Sequence, residues 1–286
     1  MKVAIVGANG QLGSDLVDEL AAGGWQVCEW NLERVDVTRG ETVREAFAAD
    51  RPEVVINTAA MHQVEQCEAD PARSFAVNAS GVRDLALEAR RNGAWLVHIS
   101  TDYVFDGAKG APYVESDLPR PLNVYGVSKL AGEHFVSTLQ PDHYIVRTSG
   151  LYGHHPCLAK GGLNFVELMR KLSLERPEIR VVDSEVLTPT STREVARQLR
   201  VMLERRPAPG LYHVTAEGSC SWHAFAAEIF RQIGATAKLS VAAPGEFPAK
   251  VPRPTYSVLE NQALKRAGVN VMRPWAEALT EYLQHG

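Results

Sequence analysis

Apolar residues along this chain gather in short runs, separated by stretches of helical spacing. Val3 to Val6 is a run of strand length, after which Leu12, Leu16, Val17 and Leu20 share one helical face until Gly23-Gly24. A second strand is predicted from Trp25 to Asn31 and a helix over 41–49. Pro52 then leads into a third apolar run, Val54-Val55-Ile56. A long helical stretch over 71–91 carries Phe75, Val77, Val82, Leu85 and Leu87, and it stops at Gly93. Trp95 to Ile99 follows as a fourth strand. Four strand–helix units without a hairpin signal between them predict an α/β fold, a doubly wound parallel sheet of the Rossmann type.

The second half is less regular. Tyr144 to Arg147 reads as a fifth principal strand, running into a glycine- and histidine-rich loop over 150–162. A helix opens at Asn164 and a short strand covers 179–182, before the Pro189-Thr190 turn. A helix over 193–205 and a strand over 211–214 return to the main sheet. Trp222, Phe225, Ile229 and Phe230 stand at helical spacing and read as the core of a small lobe rather than as a binding stripe. Four prolines make 244–254 an irregular loop. The expected division is a dinucleotide-binding domain over 1–149 plus about 193–215. A smaller C-terminal substrate-binding lobe would take about 150–192 and 216–286.

Composition narrows the function. A net charge of −4 gives no electrostatic reason for a nucleic-acid partner. No apolar run approaches the ~20 residues of a membrane span. Cys28, Cys67, Cys157 and Cys220 form no CxxC pair and suit free thiols in a reducing cytoplasm. His154-His155 near Cys157 matches no zinc spacing, so a solvated loop is expected there and no metal is assigned.

The candidate chemistry begins at the first turn, Gly7-Ala8-Asn9-Gly10-Gln11-Leu12-Gly13. Between a strand and a helix, such glycines let the backbone approach a diphosphate, which the helix N-terminus then attracts. Close helix–strand packing alone would use the same glycines. Strand two ends in Glu29-Trp30-Asn31, with Arg34 beyond it. Asn31 lacks the charge that repels a 2′-phosphate, and Arg34 could pair with one, which favours NADPH or tolerance of both cofactors. Glu29 would be the ribose ligand if the strand ended earlier. Asp36-Val37 reads equally as a neighbour of adenine or as a loop pair. Ala59 and Ala60 suit a wall for a flat cofactor, and Asn78 is a polar residue on an apolar face that needs a partner if buried. Tyr125 and Lys129, four residues apart, share one face of a helix. A phenol ionises near pH ~10, and an ammonium beside it draws that value toward neutrality. A solvated helix face would carry the same two residues, so the pair gains meaning from its company.

That company resembles the extended short-chain dehydrogenase/reductase superfamily. More narrowly, Gly10-Gln11-Leu12-Gly13, the run Ser100-Thr101-Asp102-Tyr103-Val104-Phe105-Asp106-Gly107 and Pro121-Leu122-Asn123-Val124-Tyr125-Gly126 resemble the dTDP-4-dehydrorhamnose reductase family. Arg147-Thr148-Ser149, Gly162-Leu163-Asn164-Phe165 and Arg253-Pro254 extend the likeness over essentially the whole chain. The resemblance implies NADPH (or NADH), a nucleotide-sugar substrate and a homodimer. It makes Tyr125 the proton donor, and has Lys129 hold the nicotinamide ribose while lowering the Tyr125 pKa. Thr101 would bind the substrate carbonyl oxygen, although a turn cap explains it too. Asp102, Tyr103, Asn164 and Arg253 would line the sugar-nucleotide site, with Arg253 on the diphosphate. His62 takes the family's nicotinamide-ribose position. Asp15 and Glu194 fall near carboxylates that hold Mg²⁺ across a dimer in some members, and no metal is assigned to them here. The chain departs at Gly150, where well-known members carry a tryptophan that walls the sugar. Two alternatives share these residues: a nucleotide-sugar epimerase that keeps its NAD⁺ bound, and a regulatory subunit like that of methionine adenosyltransferase.

Overall fold

The computed structural model describes residues 1–156 and 161–284, so Cys157 lies outside the described residues. Five parallel strands come first: β1 (Lys2–Val6), β2 (Gln26–Trp30), β3 (Val54–Asn57), β4 (Trp95–Thr101) and β5 (His143–Thr148). The apolar runs of β1, β3, β4 and β5 are buried on both faces, as covered parallel strands require, while β2 at the sheet edge buries only Trp30. Between them lie α1 (Gln11–Ala22), α2 (Gly40–Asp50), α3 (Val64–Ala69), α4 (Pro71–Phe75), α5 (Gly81–Arg91) and α6 (Val124–Leu139). The chain then passes through β6 (Leu151–Tyr152), α7 (Phe165–Glu175), β7 (Glu178–Val181), β8 (Val186–Leu187) and β9 (Thr190–Ser191). Helix α8 (Thr192–Arg205) returns it to β10 (Gly210–His213) at the sheet edge. Last come β11 (Cys220–Ser221), α9 (Trp222–Ile233), β12 (Lys238–Val241), α10 (Gln262–Arg266) and α11 (Trp275–Gln284).

The six-stranded sheet runs β10-β5-β4-β3-β1-β2, all parallel, which is the doubly wound Rossmann-like arrangement predicted from the sequence. On one face Leu12, Leu16 and Leu20 of α1 pack with Val195, Leu199 and Met202 of α8. On the other, Val43 and Phe47 of α2 meet Val82 and Leu85 of α5 and Val136 of α6. A separate apolar cluster joins Tyr152, Val166, Ile179, Phe225, Ile229 and Leu279. Leu264, Val269 and Met272, although late in the chain, pack into the first cluster beneath the sheet.

The single helix expected over 71–91 is broken. Pro71 occupies the first helical position of α4, and the Asp70 side chain accepts from Arg73 N. Residues Ala76–Ser80 then form a π turn before α5 begins at Gly81. Beyond the expected elements lie β12 and α10, which are short, and α11, whose Trp275, Ala278, Leu279, Tyr282 and Leu283 stand at helical spacing. Residues 244–254 form neither helix nor strand, as the prolines indicated.

The glycine turn is set by close approach. Gly7 has φ +77°, and a Cβ on Gly13 would stand 2.1 Å from the Gly7 carbonyl oxygen. Both atoms belong to backbone, so neither can yield cheaply. Gly13→Ala is expected to lower stability by roughly 1–3 kcal/mol, read by urea denaturation.

Candidate active site

A cavity of about 800 Å³ opens beyond the carboxyl ends of the strands. The strand order reverses between β1 and β3, where ligands of doubly wound folds lodge. One part of the wall is Gly7 and the run Asn9, Gly10, Gln11, Leu12 and Gly13, at the start of α1. Ala59, Ala60 and His62 after β3 form another part. Thr101, Asp102 and Tyr103 at the end of β4 face the same space as Tyr125 and Lys129 of α6. Arg253, from the proline-rich loop, closes it.

The start of α6 is fixed from both sides. Asn123 caps it, accepting from Gly126 N at 2.9 Å and donating to the Pro252 carbonyl at 2.9 Å. Gly126 sits where a Cβ would be 2.3 Å from the Tyr103 carbonyl oxygen, so helix and β4 turn touch through backbone. Tyr125 therefore reaches the end of β4, where its phenol lies close enough to Thr101 for the two to interact. The Tyr103 ring meets the Tyr125 ring edge-on at 5.7 Å. The Thr101 hydroxyl also donates to Asp102 Oδ1 at 3.1 Å and accepts from Tyr103 N at 3.2 Å. The cap and the cavity-facing roles considered for Thr101 thus coexist. Lys129 Nζ is buried and donates to the Ile99 carbonyl at 2.6 Å.

Six expected ligands lie outside the cavity wall. Asn31 follows directly on β2, and its Oδ1 accepts from Asn9 N at 2.9 Å, bracing the glycine turn from behind. Because β2 runs to Trp30, Glu29 lies within the strand rather than at its end. Arg34 is paired with Asp50 at 2.6 Å, and Asp50 also accepts from Trp30 Nε1 at 2.7 Å. Asp36 turns its carboxylate to Thr38, and Val37 is core. Asn78 is wholly buried and partnered, as its place on an apolar face required. It accepts from Met61 N at 2.9 Å and donates to Met61 O at 2.8 Å and Ser128 Oγ at 3.0 Å. Asn164 caps α7 and donates to the Gly153 carbonyl. Within the wall, the Gln11 amide is tied to the carbonyls of Gly153 and His155. Arg253 is ion-paired with Glu65, while its Nε is buried without a hydrogen-bond partner.

The loop of His154 and His155 is packed rather than solvated. His154 stacks on Tyr282 with centroids 4.0 Å apart, and His155 Nε2 lies 3.1 Å from Asp18. Asp15 accepts from Thr192, and Glu194 is paired by Arg197 and Arg273. Missed by the sequence reading were Glu185, Leu187 and Trp222, all of which line the cavity. Trp222 was assigned to core because its spacing fits the apolar stripe of α9. Its position at the first residue of that helix was the overlooked signal.

With this geometry in place the comparisons are decisive. The family model described as RmlD substrate binding domain matches residues 1–286. The chain belongs to that family. Among similar RmlD-type proteins, the spore coat polysaccharide biosynthesis protein SpsK of Bacillus subtilis is 42% identical, covering 99% of this chain and 97% of its own. A dTDP-4-dehydrorhamnose reductase of Streptomyces griseus is 40% identical over 97% of this chain and 91% of its own. The structure of a dTDP-4-dehydrorhamnose reductase from Bacillus anthracis, in complex with NADP, superposes with a TM-score of 0.94 at 36% identity. It covers 100% of this chain and 99% of the other.

The electrostatics of this RmlD-type site differ from expectation at one point. Burial pushes the Tyr125 phenol well above its ordinary range, and the Thr101 hydroxyl opposes this only in part. Lys129 does not bring the expected lowering: burial governs the phenol, and the ammonium donates to the Ile99 carbonyl. Burial also lowers Lys129 itself, to about 8, against the charge of Glu133 one turn along α6. Asp102 is raised by burial, opposed by hydroxyls of Ser257, Ser149 and Thr101.

A buried lysine lowered from 10.5 to about 8 binds fewer protons folded than unfolded between those values. Stability of the wild type should therefore rise relative to Lys129→Met as pH climbs from 8 to 10.5, by a few kcal/mol in total. Below pH 8 the difference should be flat. Urea titrations at pH 7, 8, 9 and 10 would check the sign.

Proposed function

We propose that this protein is an NADPH-dependent reductase of the C4 ketone of a dTDP-linked 4-keto-6-deoxy sugar, converting dTDP-4-dehydro-L-rhamnose to dTDP-L-rhamnose. The observation that carries it is that Thr101, Tyr125 and the buried Lys129 line one cavity together with the glycine turn. The reductases of Streptomyces griseus and Bacillus anthracis support this reading over an epimerase or a regulatory subunit. The NADP of the Bacillus structure supports the cofactor, and NADH remains within the reading.

The residues fit a dinucleotide. The glycines let the turn from Gly7 to Gly13 fold tightly on itself and line the cavity with backbone, and the start of α1 offers its unpaired N–H groups to a diphosphate. Ala59, Ala60 and His62 would flank the nicotinamide half, with Lys129 at its ribose. When bound, the cofactor supplies the hydride. The chain supplies the rest. The Thr101 hydroxyl holds the ketone oxygen, and Tyr125 gives that oxygen its proton. A phenol raised by burial stays protonated at neutral pH, the form an acid must have before reaction. Asp102 and Tyr103 would fix the sugar, and Arg253, with an unpartnered Nε, would take the diphosphate.

The chain would then divide into a dinucleotide-binding portion on the six-stranded sheet and a substrate-binding portion around α7, α9 and α11. The free thiols of Cys28, Cys67 and Cys220 suit a reducing cytoplasm. Among the described residues no helix is long and apolar enough to cross a membrane. A homodimer belongs to this reading as well. Phe75, Leu122 and Val127 stay exposed on α4 and at the start of α6, helices in contact with each other.

Tyr125→Phe is expected to keep NADPH affinity while lowering turnover by about 10² or more. The assay follows NADPH oxidation with dTDP-4-dehydro-L-rhamnose, beside GDP- and UDP-linked keto sugars. Undiminished activity in the variant would remove Tyr125 as the acid.

A further inference from the structure

Gly150 lines the cavity with backbone, and no side chain fits there without a shift. Gly150 has φ +56°, and a Cβ there would stand 2.9 Å from Leu187 Cδ1 and 2.9 Å from the Thr188 carbonyl oxygen. Leu187 therefore occupies the space that a side chain at 150 would need. Leu187 belongs to β8, whose short antiparallel ribbon with β11 pairs Leu187 with Cys220 and Val186 with Ser221. The next step of that register sets Glu185 against Trp222. Trp222 Nε1 donates to Glu185 Oε2 at 3.2 Å, and both residues line the cavity. Behind the indole, Phe165 packs at 4.6 Å between ring centroids. Ser221 caps α9 by accepting from Ala224 N at 3.0 Å, which fixes the backbone from which Trp222 projects. Glu185 is also close enough to Tyr103 and Arg253 to act on both electrostatically, which sets the pair beside the proposed sugar and diphosphate groups.

We propose that the indole of Trp222, pinned by Glu185, is the flat apolar wall for the sugar ring of the nucleotide-sugar substrate. The proposal rests on the nucleotide-sugar reading above. Its chemistry is that of an aromatic ring against a deoxysugar's C–H face, with the polar edge of the ring already satisfied. The Glu185 carboxylate keeps a second oxygen for a sugar hydroxyl, so the pair would select for the sugar and leave the nucleotide to other residues.

The test reads binding, not turnover. Calorimetry of the NADP⁺-loaded protein with dTDP and with dTDP-glucose isolates what the sugar adds. The wild type should bind dTDP-glucose about tenfold or more tighter than dTDP. Trp222→Ala should bring that ratio close to one, with the affinities for dTDP and NADP⁺ within twofold of wild type. Trp222→Leu keeps apolar bulk without a flat ring and should behave alike if the alanine variant fails to fold. Glu185→Ala should lower the ratio partway. A ratio unchanged in the tryptophan variants would overturn the proposal. So would an equal loss of dTDP affinity, which would put the indole at the nucleotide, or a wild type that prefers neither ligand. If the ratio behaves as expected while no keto sugar is reduced, the wall stands and the reductase reading falls.

Discussion

The seating of α6 on β4 is the constraint from which the site follows. Three contacts make it: Gly126 against the Tyr103 carbonyl, Lys129 Nζ on the Ile99 carbonyl, and Ser100 Oγ donating to Glu133 at 2.5 Å. Glu133 is held in turn by Arg147 of β5 through two hydrogen bonds, at 2.9 and 2.6 Å. A helix and two strands are thereby locked by charges kept from water. Breaking one partner of such a buried pair leaves an uncompensated charge, so the register of α6 against the sheet is sharply defined. The phenol and the threonine hydroxyl are positioned by that register rather than by each other.

The same burial that fixes the geometry sets the proton chemistry. In an exposed Tyr–Lys pair the cation would favour phenolate. Here desolvation acts on both groups, raising the phenol and lowering the ammonium. The phenol therefore stays protonated at neutral pH.

How much of this was legible in the sequence depends on the range of the interaction. The strands and flanking helices were readable because apolar periodicity is local, and so was the glycine turn, whose neighbours in sequence are its neighbours in space. The Tyr125/Lys129 pair was readable for the same reason. The partner of Arg34 was not legible, because Asp50 comes from the far end of α2. Likewise, the cap made by Asn164 and its bond to Gly153 depend on how α7 meets the loop after β6. Trp222 was hidden by its own periodicity. Only the pairing of β8 with β11, two residues each, shows that the first residue of an apolar helix turns into a cavity. Strands that short leave no pattern to read.

The π turn at Ala76–Ser80 has a consequence for how this stretch can change over evolutionary time. A wide turn holds one residue more than an α-helix would use over the same span. Removing any one of the five would let the segment relax into regular helix and rotate everything beyond it by about 100°. Asn78 would swing away from Met61 and Ser128, and the backbone before α3 would lose its anchor. Substitution is tolerable here where chemistry allows, but the length is not negotiable: a lineage can respell this helix, not shorten it.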